Sequence, residues 1–244
     1  MGTIRKVGDV LRLFSEREPE LGLSDIARRM NMSTSGTHDV LDELRKIGML
    51  TRVARGRYRL GPFIASLYRV LVDTSALVAT ARPTLERLVE DYGETVHLTV
   101  FDRTQVIVAD AVEGRHMLRV SRAILEGDLA PHESPVGMLH LAAAGKTRQE
   151  ASFAAVRAHR TPLLPPQRLA EYLEELAREG VAVGPVETER DVICVAAQVR
   201  NHADMPYAVL SLAIPRSRHD AQSRAFRTVV MTAAEGISQQ LSRS

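Results

Sequence analysis

The sequence predicts an α+β chain in two parts: a small helical front ending in a β-hairpin, and a larger body whose helices are interspersed with a mostly antiparallel sheet. Three observations predict it. In the first sixty residues, short segments of helical apolar spacing are separated by tight turns. Beyond Glu94 the β-rich runs come in pairs joined by a few turn-forming residues, as antiparallel hairpins are. Charge is also divided, with 12 Lys and Arg against 8 Asp and Glu in residues 1–61 and 20 against 22 in the remainder. A basic front on a slightly acidic body points any polyanion to the N-terminal part. With 244 residues, 45% apolar and 25% charged, the chain can fill a core and lacks the balance of a disordered one.

The elements follow in order. Val7, Val10, Leu11 and Phe14 fall at helical spacing, and Glu18-Pro19-Glu20 ends that helix. Ser24 is placed to cap a second short helix, Asp25–Met30, whose acidic first residue suits the positive helix terminus. Asn31-Met32-Ser33 is a turn in which asparagine tolerates a left-handed conformation. A third helix, Thr34–Lys46, carries Val40, Leu41 and Leu44 on one side and stops at Gly48. Met49–Val53 and Arg57–Leu60 are short strands joined through Ala54-Arg55-Gly56. After Gly61-Pro62, the stretch Phe63–Asp73 reads as a linker helix whose apolar face also suits a dimer contact, and residues 76–91 form a separate amphipathic helix. In the body, Thr95–Phe101 and Gln105–Val112 form a hairpin, and Met117–Val120 is a further strand. Ser134–Ala144, Arg148–Ala158 and Gln167–Glu179 are helices, the last stopped by Gly180. Val181–Val183, Val192–Val199 and Tyr207–Ile214 are strands, and Asp220–Leu241 is the final helix.

Several function classes fall away. A single cysteine, Cys194, excludes an internal disulfide and a zinc site of several thiolates, and the expected compartment is a reducing cytoplasm. The longest apolar stretch, Phe63–Ala79, is broken by Arg69 and Asp73, so no membrane partner is expected, and the start has no apolar signal core. None of the eight histidines shows H-x-x-x-H spacing, and neither metal nor other cofactor is expected. G-x-S-x-G, G-x-x-x-x-G-K-[ST] and G-x-G-x-x-G are all missing. A Cys194–His97 nucleophile pair would need an activated thiol, whereas Cys194 lies in a run that reads as a buried strand. The chain is not expected to be an enzyme.

Helix, turn, helix and two-stranded wing together make a winged helix-turn-helix. In that arrangement the second helix of the pair lies in the major groove and its leading side chains reach base edges. Those residues here are Ser33, Thr34, Ser35, Thr37 and His38, small or polar and able to hydrogen-bond bases or phosphates. Arg28 precedes the turn, Arg45 ends the helix, and the wing carries Arg52, Arg55, Arg57 and Arg59, a cluster suited to phosphate or a narrow minor groove. A three-helix core with a solvated charged rim would show part of this pattern. The basic front favours duplex DNA.

The segment Leu23-Ser24-Asp25-Ile26-Ala27-Arg28-Arg29, then Ser35, His38, Leu41, Leu44, Gly48, Leu50 and Arg57-Tyr58-Arg59-Leu60-Gly61, resembles the IclR family of bacterial transcriptional regulators. In the body, Leu129–Gly137, Gly180–Val183 followed by Cys194–Ala197, and Ala208–Pro215 resemble the same family. The resemblance implies a winged DNA-binding domain over residues 1–61, a linker helix over 62–75 and a GAF-like effector-binding and oligomerisation domain over 76–244. It also implies homodimers or dimers of dimers on operator DNA. The family often has Lys where Thr34 stands and Arg where Asp39 stands, so more of the affinity here is expected to come from the wing.

By the same resemblance, an effector site is lined by Ser134, Pro135, Val136 and Met138 at the opening of a helix, by Gly184, and by the strands holding Cys194, Ser211 and Ala213. His97, which shares a strand face with Thr95 and Thr99, and His132 are further candidate contacts. Pro135 removes a backbone N–H, Gly184 stands where an acidic residue is frequent, and Val136 and Met138 add apolar bulk. These departures imply a larger, partly apolar ligand such as an aromatic acid or amide. The resulting expectation is a ligand-responsive repressor of a catabolic gene or operon. An activator, and a sensing module whose winged domain binds protein, stay open beside it.

Overall fold

The computed structural model describes residues 3–15, 18–53, 56–73, 75–102, 105–125, 130–145, 149, 166–186 and 189–243. Arg55 of the wing, Leu129, and the helix expected over Arg148–Ala158 apart from Gln149 lie outside the described residues. The chain divides into two compact units, Met1–Thr74 and Ser75–Ser244.

The first unit runs α1 (Thr3–Leu11), β1 (Leu21–Gly22), α2 (Leu23–Arg29), α3 (Thr34–Lys46), β2 (Leu50–Val53), β3 (Arg57–Leu60) and α4 (Pro62–Asp73). Its three short strands pair antiparallel in the order β1-β3-β2. Val10, Phe14, Leu21, Ile26, Leu41, Leu44, Leu50 and Tyr58 form its core. α1 ends at Leu11, yet Phe14 still reaches the core through a following turn. α2 starts two residues earlier than expected and has Gly22 at its cap, with no side-chain bond, so Ser24 does not cap it. The cause is β1: Leu21 and Gly22 are paired to Tyr58 and Arg57, and the chain enters the helix straight from that pairing. The turn before α3 does use left-handed Asn31, at φ 51°. On α4, Phe63, Leu67, Tyr68 and Val70 are exposed apolar side chains.

The second unit comprises α5 (Ala76–Tyr92), β4 (Thr95–Asp102), β5 (Gln105–Val112), α6 (Pro135–Ala143), α7 (Pro166–Glu179), β6 (Val181–Val186), β7 (Glu189–Arg200), β8 (Pro206–Pro215) and α8 (Arg216–Leu241). The sheet order is β5-β4-β8-β7-β6, antiparallel throughout. Alternation along the strands gives the sheet two different faces. Val96, Leu98, Val195, Ala197, Leu210 and Leu212 form one core with residues of α5 and α8. Cys194, Ala196, Val209 and Ala213 form the other with Val136, Met138, Leu139 and Leu141 of α6 and Leu173 and Leu176 of α7.

Met117–Val120 is not a strand. Met117 and Leu118 are exposed, and the loop is held instead by side chains: Thr95 Oγ1 donates to the Val120 carbonyl and Arg218 to that of Leu118. Arg218 also clamps the buried carboxylate of Glu94 through two bonds, of 2.5 and 2.8 Å. Arg218 precedes a break in α8 at Gln222, whose φ of −142° is not helical, and the helix starts at Arg216, four residues before the expected Asp220. Among the described residues no helix is long and apolar enough to cross a membrane.

Candidate functional site

Two places gather the candidate residues, one in each unit. In the first unit, α3 buries Thr37, Leu41 and Leu44 and turns Thr34, Ser35, His38 and Asp39 to solvent. Ser33 caps the helix, its Oγ accepting the Gly36 N–H at 3.2 Å. Thr37 departs from expectation. It is wholly buried and its hydroxyl donates to the Ser33 carbonyl, because its place on α3 falls on the core side with Leu41 and Leu44. It therefore cannot reach a base, and serves the core and the first turn of α3 instead.

The arginines separate into tied and untied. Arg28 bonds Asp25 at 3.0 Å and Arg45 bonds Asp42 at 2.7 Å. Arg57 donates to the Glu20 carbonyl at 2.6 Å and so braces the wing against the segment before β1. Arg52 and Arg59 are exposed, and neither makes an ion pair among the described residues. They belong to opposite faces of the ribbon, since Arg59 is registered with Thr51 and Arg52 with Tyr58.

In the second unit, strand register assembles a floor. Across β4, β8, β7 and β6, Thr95, Ala213, Cys194 and Gly184 stand side by side, and one pleat further on come His97, Ser211, Ala196 and Ala182. Thr95, His97, Cys194, Ser211 and Ala213 are entirely buried. α6 packs over this face through Val136 and Met138. Ser134 caps α6 by accepting the Gly137 N–H at 3.1 Å, and Pro135 has no N–H to offer, so the helix start has reduced capacity to hold an anion. Pro135 also stands over Gly184, where a Cβ would lie 3.5 Å from its Cγ. His132 is buried in the short 3-10 turn Pro131–Glu133 just before Ser134, apart from the strands. The Cys194 thiol is pushed up to about 12 by burial and stays protonated at neutral pH. It acts here as a small apolar contact.

The Ser211 hydroxyl has no hydrogen-bond partner among the described residues. An unpaired buried hydroxyl costs about 1–3 kcal/mol, which marks the point of the floor where a partner is missing.

His140, not anticipated as part of this face, lies on it as well. Its Nε2 is 2.9 Å from Thr99 Oγ1 and its ring stacks on Phe101 at 5.5 Å. The available signal was the shared strand face of His97 and Thr99; what period alone could not give was which helix would cover Thr99. Burial pushes the His140 imidazole down to about 3. The folded chain therefore resists protonating a group that the unfolded chain protonates near pH 6.5, so the stability it carries is full above that value and is lost as pH falls toward 3. Between pH 7 and 5 the expected loss is about 2 kcal/mol. His140→Gln, which keeps a bond to Thr99, should remove that slope in urea melts at both pH values. Identical slopes in the two proteins would contradict it.

Comparison with known proteins gives two family matches. Residues 70–239 match the family described as bacterial transcriptional regulator IclR C-terminal, and residues 3–54 match the IclR helix-turn-helix domain. The HTH-type transcriptional regulator XynR of Escherichia coli is 27% identical, over 98% of this chain and 96% of its own length. The transcriptional repressor IclR of the same organism is 26% identical, over 93% of this chain and 85% of its own. Among solved structures, an IclR homolog from Microbacterium hydrocarbonoxydans complexed with 4-hydroxybenzoate superimposes with a TM-score of 0.78 at 25% identity, covering all of both chains. A putative IclR transcriptional regulator from Silicibacter sp. gives a TM-score of 0.86 at 25% identity, covering 99% of this chain and 96% of that one.

Proposed function

The chain belongs to the IclR family of bacterial transcriptional regulators, and from that premise we propose that it is a repressor of a catabolic gene or operon, released from its operator by a small, partly apolar effector of the aromatic acid or amide class. The observation that carries the effector class is the Ser211 hydroxyl, buried and with no hydrogen-bond partner among the described residues, on a floor of Cys194, Ala196 and Ala213 under Val136. A few polar groups gathered on one part of the floor, Ser211 with His97 and Thr95 beside it, next to the apolar Cys194, Ala196, Ala213 and Val136, suit a ligand with one polar end and an apolar ring. The 4-hydroxybenzoate bound by the Microbacterium relative is of that class. His97, beside Ser211 across the strands, and Ser134 and Pro135 at the start of α6 complete the proposed site, with Met138, His132 and Gly184 at its margin.

On the DNA side, the proposed contacts are Thr34, Ser35 and His38 from α3 and Arg52 and Arg59 from the wing. Two copies joined through the exposed apolar face of α4 would present two α3 helices. Their separation must match one turn of DNA, about 34–36 Å, or a multiple of it. The effector acts by preferring the arrangement in which that match fails. Moving such an equilibrium from 1:99 to 99:1 takes about 5.5 kcal/mol of differential binding.

The test is a gel shift of the full chain on the DNA upstream of its own gene, at rising salt, with and without 4-hydroxybenzoate and benzamide. Binding relieved by either compound supports the reading. No retained duplex at low salt overturns it. Ser211→Ala separates the ligand from the fold: removing an unsatisfied hydroxyl should leave the melting temperature unchanged or slightly raised, while the response to the compound weakens at least tenfold. An unaltered response would move the ligand elsewhere.

A further inference from the structure

The outward face of α3 carries Ser35, Asp39, Asp42 and Lys46 at helical spacing, opposite the buried Thr37, Leu41 and Leu44. Its carboxylates are not equivalent. Asp42 is neutralised by Arg45 at 2.7 Å and Lys46 at 3.1 Å, and Glu43 by Lys46 at 2.8 Å. Asp39 is 85% exposed, and its one ion-pair partner among the described residues is the His38 ring, at 4.0 Å. It stands one helical turn beyond Ser35, on the part of the helix that would face a groove.

A bare carboxylate brought against a duplex is repelled by every phosphate. It is tolerated at a groove floor only where it meets a hydrogen-bond donor. In the major groove two exocyclic amines donate, N4 of cytosine and N6 of adenine. Adenine sets the N7 acceptor beside its amine, which opposes the second carboxylate oxygen; cytosine presents the amine without that neighbour. Guanine and thymine present acceptors that repel a carboxylate outright.

We propose that Asp39 is a specificity-determining residue that accepts a hydrogen bond from cytosine N4 in each half-site and rejects the other three bases at that position. The inference rests on α3 entering the major groove, as proposed above. Its chemistry makes an unusual substitution rule. Asp39→Asn turns an acceptor-only group into one that both donates and accepts, which fits the N6 and N7 pair of adenine. The preferred base should therefore change from cytosine to adenine, not merely weaken.

The experiment is selection of bound duplexes from a random pool by the full-length chain, Asp39→Asn and Asp39→Ala, followed by sequencing. The side chain is exposed, so thermal melts of the three proteins should coincide. The wild-type chain should enrich one half-site position for cytosine by about tenfold over other bases. Asp39→Asn should enrich adenine there, and Asp39→Ala should lose preference at that position alone while binding all duplexes more tightly. A preserved cytosine preference in both variants, or tighter binding with no position affected, overturns the inference and leaves DNA binding standing. Failure of the wild-type chain to retain any duplex overturns the proposed function itself.

Discussion

Replacing Gly137 by alanine is expected to cost about 3 kcal/mol, at the upper end of what overpacking a filled interior costs. A Cβ at Gly137 would lie 2.0 Å from the Pro131 carbonyl oxygen, 2.5 Å from its Cα and 2.6 Å from its carbonyl carbon. All three are backbone atoms, so no side-chain rotation relieves the clash. Either the Pro131–Glu133 turn or the first turn of α6 must move by about an ångström, and both are buried. Moving them also breaks the Ser134 cap, which holds the Gly137 N–H, and lifts Val136 from the sheet floor. For a chain of this size the melting temperature should fall by about 6–12 °C, read by calorimetry. Gly236→Ala is the matching control, because among the described residues no atom beyond its own helical backbone lies within 4 Å of the added methyl and the site is helical. That variant should be neutral or gain up to about 1 kcal/mol. A Gly137→Ala protein that melts within a degree of the parent would show that α6 is not wedged against Pro131. If the proposed effector site is correct, the same variant also loses its response to ligand.

Gly137 illustrates what the sequence could and could not carry. The helix expected from Ser134 and its apolar content are readable, since local spacing decides them, though Ser134 caps the helix rather than beginning it. That the helix approaches Pro131 so closely is a tertiary fact with no periodic trace. The antiparallel strands read well for a similar reason: β4 alternates, β7 and β8 are short apolar runs buried on both faces, and turn-forming residues bound them. β1 did not, because two residues carry no period, and its pairing with β3 is what displaced the start of α2. The false strand at Met117–Val120 is apolar by composition but lies in a loop fixed by Thr95 and Arg218, side chains distant in sequence. For the candidate site, His97, Cys194, Ser211 and Ala213 come onto one sheet face, an arrangement that needs register, which resemblance supplied and spacing alone does not. Thr37 shows the limit on the other side: a polar residue near a helix start is a base-reader or a core hydroxyl depending on a rotation of about one residue, 100°.

The wing gives the other large effect. Arg52→Ala combined with Arg59→Ala should weaken binding to every duplex, matched or not, by roughly 60-fold per protomer at 0.1 M salt. The figure follows from counterion release: each phosphate contact contributes about 0.9 to the slope of log affinity against log salt, so two contacts remove about 1.8. Arg52 and Arg59 are chosen because they make no ion pair among the described residues, so their removal costs the fold little. Arg57 would confuse the result, since it also braces the wing through the Glu20 carbonyl. Being on opposite faces of the ribbon, Arg52 and Arg59 reach both sides of whatever the wing enters, so each single variant should remove about half the slope change. α3 makes the wing's share large. Within Thr34–Lys46 its cations are Arg45 and Lys46, both already paired with acidic neighbours, and its leading groups are hydroxyls that position rather than neutralise. The measurement is fluorescence anisotropy on a specific and a scrambled duplex across 50–300 mM salt. A parallel loss on both duplexes with a shallower slope places the wing on the backbone. A loss confined to the specific duplex would make it a base-reader, and unchanged affinity on both would take the wing out of the interface and leave α3, with its uncompensated Asp39, unable to account for binding to a polyanion.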